Sequence, residues 1–254
     1  MSSRASSIQQ VVDRQCRRWE ILQEHRARQE KPAHWPIITI EREFGARGEA
    51  LGRLVAEISG FTLWDGELVH AVAEQSGANE AILRSLDEHR RSVIEESIQG
   101  ALLGGRHMQS EYLRGLMKLL HTIAAHGGSV VVGRGAQYIV AAETALRVRV
   151  VSPLEARIRG YADRQGIEES RARLEVERFD AERSRFVRQF FSRDAAVASD
   201  YDLVLNTGAF TLDQAAEILL DAYQVRFGRR PKPSETKPIT EKESEPSVAG
   251  TARK

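Results

Sequence analysis

The chain has 254 residues, long enough for one substantial core with extra segments, and its 37 Lys and Arg against 36 Asp and Glu leave a formal net charge of +1. That is too little for a global field to gather nucleic acid or an anionic membrane, so any affinity for phosphate has to be local. A single cysteine, Cys16, excludes an internal disulfide and a cysteine-rich zinc cluster. The N-terminal stretch carries charge throughout and no apolar run approaches the ~20 residues of a membrane span, so the expectation is a soluble, cytoplasmic protein with no nucleic-acid or membrane partner.

From the N-terminus, Ile8, Val11, Val12, Trp19, Ile21 and Leu22 recur at helical spacing before Pro32 and Pro36. Residues 1–35 therefore read as an accessory helix, packed on the main domain or on a partner subunit. Short β-branched segments at 37–40, 61–64, 129–132, 146–151 and 202–206 then alternate with helical ones, and the longer of them are apolar enough to be covered on both faces. This pattern predicts a three-layer α/β/α domain over 36–228 built on a five-stranded parallel sheet.

The first predicted strand opens the stretch IITIEREFGARGEALGRLVAE, residues 37–57. A glycine-bearing turn leads from it into a helix with Leu51, Leu54, Val55 and Ile58 on one face, stopped by Gly60. Backbone N–H groups at such a helix N-terminus form an anion cradle, and glycines let the chain come close. The candidate phosphate-binding residues are Gly45, Ala46, Arg47, Gly48, Glu49 and Ala50. Set on the pattern G-x-x-x-x-G-K-[ST], however, Glu43 stands at the first glycine, Glu49 at the lysine and Ala50 at the magnesium-holding hydroxyl. The backbone of the device is kept and its side chains are not. A unit charge pair at 4 Å and an effective dielectric near 20 is worth about 4 kcal/mol. Glu49 must therefore turn away, pair with a neighbouring arginine or contact magnesium. Arg42 and Arg47, both read as loop residues, are the nearest sources of the missing positive charge.

Roughly sixty residues, mostly helical in pattern, separate the second predicted strand from the third, where one crossover helix would suffice. The excess reads either as a lid or helical subdomain over the sheet's C-terminal edge, or as a thickening of the core or a homodimer interface. Within it Ser110 is placed to cap a helix whose face is Leu113, Leu116, Met117, Leu120, Ile123 and Ala124, with Gly127 as its stop. Gly133-Arg134-Gly135 follows the third strand. Ser152-Pro153-Leu154-Glu155 after the fourth strand reads as a capping box, and Thr211-Leu212-Asp213-Gln214 as a second one before the last core helix. The segment from 229 onward is charged, proline-bearing and nearly free of apolar residues, hence an expected disordered tail. The seven histidines show no metal-ligand spacing, and no metal site is assigned.

Taken in order, ITIEREFGARGEALGRLVAE, GFTLWDGELVHAVAE, VVVGRGAQYIV, RVRVVSPLEARIRGYADRQGI, FDAERSRFVRQFF and YDLVLNT resemble the cytidylate kinase-like family over roughly 36–223. The resemblance implies a fold like that of the nucleoside monophosphate kinases: a P-loop NTPase-like sheet of order 2-3-1-4-5 with acceptor and lid regions. It implies ATP and Mg2+ as cofactors and CMP or dCMP as the acceptor. Gly45 to Gly48 match the phosphate loop, where relatives carry further glycines and a basic residue. Asp65 matches an aspartate placed to meet the acceptor or a basic partner, and equally it suits the cap of the next helix. Arg134 matches the arginine that grips the acceptor phosphate, with Arg188 added from the charged lid helix. Arg157 looks like the arginine opening the lid, with Asp180 and Arg183 behind it; Arg47, Arg157 and Arg183 are the catalytic candidates, since planar guanidinium forks suit the oxygens of a phosphoryl group in transfer. Three functions follow: transfer from ATP to a nucleoside monophosphate, the same chemistry on another small hydroxyl or phosphate acceptor, or a non-catalytic descendant that senses a nucleotide or scaffolds a complex.

Overall fold

The computed structural model describes residues 34–74, 76–103 and 111–233, together with 10, 12–14, 16, 17 and 21. Strands β1 (Ile37–Arg42), β2 (Thr62–Trp64), β3 (Ser129–Val132), β4 (Ala145–Val151) and β5 (Leu203–Asn206) form one sheet in the order β2-β3-β1-β4-β5. All four pairings are parallel. The helices are α1 (Gly48–Ser59), α2 (Gly66–Glu74), α3 (Ser76–Arg84), α4 (Glu88–Leu103), α5 (Glu111–His126), α6 (Ala136–Ile139), α7 (Leu154–Gln165), α8 (Glu169–Phe191) and α9 (Leu212–Phe227).

Side chains alternate across the sheet, as a period of two requires. Ile38, Ile40, Val130, Val132, Val148 and Val150 join Leu51 and Val55 of α1 and Leu219 and Tyr223 of α9 in one core. Ile37, Val131 and Trp64 join Val69 of α2, Ile82 of α3, Ile98 of α4 and Leu116 and Leu120 of α5 in the other. The long connection is thus a full helical layer, built on α5, whose predicted apolar face is buried throughout. Trp64 and Leu120 are fully buried, and burial of such side chains contributes about 1.5–3 kcal/mol each.

Local signals set the element ends. Gly60, in the left-handed region at φ 72°, closes α1. Thr211 and Gln214 form the reciprocal capping box of α9. At the other predicted box the structure differs: Pro153 is the N-cap of α7 and no side chain caps it. Ser152 instead donates its N–H to Glu43 Oε2 at 3.1 Å, and Glu155 pairs with Arg173. The ladder with β4 runs on to Arg42↔Val150, so Arg42 is the last residue of β1 and not a loop residue.

In the N-terminal region 12–14, 16, 17 and 21 are helical, and Val12 is buried in the core around α5 with half-buried Cys16 against it. Residue 10 is helical as well and 34–35 lead into β1 without helix; the remainder of the predicted accessory helix, the Ser110 cap and residues 234–254 of the predicted tail lie outside the described residues.

Candidate functional site

Every strand of a parallel sheet points its C-terminal end the same way, and the ends of β1, β2 and β3 converge on two adjoining cavities. One, of about 590 Å³, is lined by Gly45, Arg47, Gly48, Glu49 and Ala50 of the loop and by Arg53, Tyr161 and Arg164. Its neighbour, of about 700 Å³, is lined by the acids Glu41, Asp65, Glu67 and Glu182, by Arg134, and by Phe179, Phe186 and Val187 of α8. Arg42, Phe44, Glu49 and Arg183 belong to both walls.

The loop is an anion cradle in its backbone. Gly45 has φ 81°, and a Cβ there would meet the Cβ of Arg157 at 3.1 Å. Arg47, a non-glycine residue at φ 62°, is the N-cap of α1. Such a left-handed residue costs about 1–2 kcal/mol, and with the helical residue after it turns successive N–H groups to one side. Among the described residues, the N–H groups of Gly45, Arg47, Gly48, Glu49 and Ala50 have no acceptor. Ala46 is buried and its carbonyl accepts from Thr207 Oγ1 at 2.8 Å, which ties the loop to the end of β5. Of the three fates open to Glu49, the structure shows pairing: its carboxylate lies 3.8 Å from Arg53, one turn along α1, with both side chains more than half exposed. A pair that open to water is weak.

The loop's leading end is clamped by the predicted lid. Phe44 donates its N–H to Asp180 Oδ1 at 2.7 Å, while Arg157 Nη1 donates to Phe44 O at 2.9 Å and to Asp180 Oδ2 at 2.5 Å. Arg157 is buried and also lies 3.4 Å from Glu43, so its fork is spent inside the protein and it lines neither cavity. The Phe44 ring stacks on Phe179 at 4.3 Å, and Arg183 lies over it at 5.3 Å.

Arg183 donates to the carbonyl of Arg42 at 3.2 Å. Burial, and then the neighbouring charge of Arg42, push its pKa down to about 10. An anion between the two guanidiniums relieves both penalties. Arg42 reaches across the sheet edge, since a Cβ on Gly133, at φ 80°, would fall 2.2 Å from its Nη1. Arg134, left-handed at φ 58° between two left-handed glycines, donates Nε to Gly66 O at 3.0 Å and lies over Phe186. Backbone strain held in this way clusters at functional sites. Asp65 does what its other reading offered: its carboxylate accepts from the N–H groups of Glu67 and Leu68 and starts α2, while it also lines the second cavity.

Of the sequence candidates, the loop residues, Arg183, Arg134 and Asp65 therefore share two joined cavities, whereas Arg188 is exposed on α8 and lines neither. Sequence reasoning missed Glu41, Phe44, Phe179 and Phe186. The last two had a legible signal, an i, i+7 aromatic spacing within the charged α8. Glu41 had none, because nothing local separates a polar strand end that faces a cavity from one that faces solvent, and Phe44 had none because a lone aromatic in a turn does not show what it will pack against. Among the described residues, no group of three His, Cys, Asp or Glu could hold a metal ion, and no helix is long and apolar enough to cross a membrane.

The model of the family described as cytidylate kinase-like matches residues 37–209, more than half of the chain. No curated protein matches it. Among solved structures, an uncharacterized protein from Eubacterium ventriosum superposes with a TM-score of 0.56 at 17% identity, covering 74% of this chain and 98% of that one. A shikimate kinase from Bacteroides thetaiotaomicron gives a TM-score of 0.40 at 14% identity over 73% of this chain and 97% of its own. For TT1252 from Thermus thermophilus the values are 0.40, 19%, 74% and 98%. At these identities the first likeness speaks to fold alone.

Proposed function

Because the chain belongs to the cytidylate kinase-like family, a nucleotide-binding P-loop kinase-like fold, we propose that it transfers a phosphoryl group from ATP to a small acceptor. The observation that carries this reading is the shared wall of the two cavities: a loop with free N–H donors on one side, Arg134 on the other, and Arg42 and Arg183 between them. Transfer needs a donor and an acceptor in line with positive charge around the moving group, and joined cavities with guanidiniums at the junction meet that need. In this reading the loop N–H groups and Arg47 hold the donor phosphates, Arg183 and Arg42 face the transferring group, and Arg134 meets the acceptor. Arg157 and Asp180 position the loop. The family points to CMP or dCMP as the acceptor, with another small hydroxyl or phosphate compound as the other candidate; a single cysteine suits the cytoplasm as the setting.

Magnesium fits the chain's own residues poorly. Position 50 is alanine, without the hydroxyl that would hold the ion. A magnesium ion that arrives on ATP brings phosphate and water ligands of its own, and the roles above are assigned to side chains alone. The altered loop favours a second reading, nucleotide binding without turnover. A coupled ADP-release assay over the common ribonucleoside monophosphates and a set of alcohols, with wild type and Arg183→Met, separates the two. Acceptor-dependent ADP formation that falls by about 100-fold or more in the variant is expected. ATP binding with no transfer to any acceptor leaves the second reading standing.

A further inference from the structure

Glu41 is 4% exposed, yet it lines the acceptor-side cavity. Its hydrogen bond comes from the adjacent Arg42 N–H, at 3.1 Å to Oε1. Among the described residues, no Lys, Arg or His nitrogen lies within the 4.0 Å of an ion pair with it. Arg183 of α8 acts on it through space without closing a contact pair, and the phenols of Tyr138 and Tyr201 stand near it; a carboxylate taken out of water without a contact ion pair is costly unless something else offsets it. The wall around it compounds the point. Five acids, Glu41, Glu49, Asp65, Glu67 and Glu182, stand against Arg42, Arg134 and Arg183. Asp65 is occupied in starting α2 and Glu49 leans to Arg53; Glu41, next to last in the central strand β1, is the buried acid of this wall.

Acceptor chemistry divides on this residue. A phosphate monoester attacks through an oxygen that is already anionic; it needs no base and is repelled by a wall in which acids outnumber arginines. A hydroxyl must lose its proton as it attacks, and a buried carboxylate beside it is the group that takes it. We infer that Glu41 is a general base and that the acceptor is an uncharged or cationic small molecule bearing a hydroxyl. This rests on the phosphoryl-transfer reading and gives its acceptor a hydroxyl in place of a phosphate. The acceptor oxygen forms a bond to the γ-phosphorus of ATP as its proton passes to Glu41. The bond from that phosphorus to the bridging oxygen breaks with its electron pair going to ADP, and Glu41 then releases the proton to solvent. The products are ADP and a phosphate monoester. Phe179 and Phe186 supply an apolar wall for the acceptor's carbon frame, and with Arg134 over the Phe186 ring they leave the acid-lined floor for its polar end.

The test is ADP release by the full chain with ATP, comparing ribonucleoside monophosphates with uncharged nucleosides, polyols and amino alcohols, for wild type, Glu41→Gln and Glu41→Asp. The expected result is transfer to an alcohol, with kcat about 100-fold or more lower in Glu41→Gln and acceptor KM nearly unchanged. Glu41→Asp keeps transfer at a reduced rate, which separates loss of the base from loss of the fold, and thermal melts of both variants check the same point. Transfer to monophosphates alone, or a Glu41→Gln enzyme with the wild-type rate, overturns the inference and leaves phosphoryl transfer intact. No transfer to any acceptor overturns both.

Discussion

Arg183 carries an energetic cost that explains why it is there. Burial and the nearby Arg42 charge hold its pKa down at about 10, below its ordinary value. The folded state thus binds the proton less tightly than the unfolded one, so the penalty is fully present below about pH 10 and is relieved as pH rises above it. At neutral pH a cation is kept where the fold disfavours it, the mark of a site that awaits an anion. Arg183→Met removes a poorly solvated charge and keeps much of the side-chain volume over Phe44. Differential scanning should show Tm unchanged or about 2–4 °C higher, while the shift that ATP induces in wild type disappears. A Tm that falls instead would make Arg183 a structural cation. Arg157 is the contrasting case. The same residue type, singled out from the same segment, is paired with Asp180 and Glu43 and bonded to two carbonyls. Sequence could not separate the two arginines, because the difference lies in which acids the fold brings against each.

At the scale of elements, α8 does more than carry charge. Its Asp180 accepts the Phe44 amide and pairs with Arg157, so one carboxylate ties the lid helix, the phosphate loop and α7 together. Asp180→Asn leaves Arg157 with Glu43 as its remaining acidic partner and should cost about 1.5–3 kcal/mol, read as a lower urea midpoint at unchanged m. Hydrogen exchange of the Phe44 amide should speed up, and nucleotide affinity should fall with it. Thr211→Ala is the matched control. It removes the capping box of α9, beside Leu212 of the donor cavity, and should cost about 1 kcal/mol with no change in hydrogen exchange of the Phe44 amide. The two caps show how legible local signals are. Thr211-Gln214 forms as its sequence says, whereas Ser152-Glu155 does not, because Glu43 claims the Ser152 amide and Arg173 claims Glu155. A local motif holds where no distant partner outbids it.

For the whole molecule, the sheet order β2-β3-β1-β4-β5 sets β1 at the centre with β3 and β4 on either side, and so brings Glu41, Arg42, Gly133 and Arg134 to one edge. Because the donor cavity joins the loop after β1 to α7 and α8, a bound nucleotide should stabilise the domain as one unit. ATP at 100 times its Kd should add about 2.7 kcal/mol to unfolding, moving every probe of the transition together; a shift confined to α8 would show that the lid binds alone. The amino-acid sequence by itself determined the alternation of strands and helices, the two-face apolar pattern that requires a covered parallel sheet, the glycines of the loop and the Thr211 cap. Each is a matter of periodicity or backbone freedom over a few adjacent residues. Only the tertiary structure decided that the sixty-residue connection is a core layer, that Arg157 is spent inside while Arg183 faces a cavity, and that Glu41 is buried in that cavity's wall. Those outcomes depend on which charges meet across more than a hundred residues of chain, and on how much water the packing leaves between them.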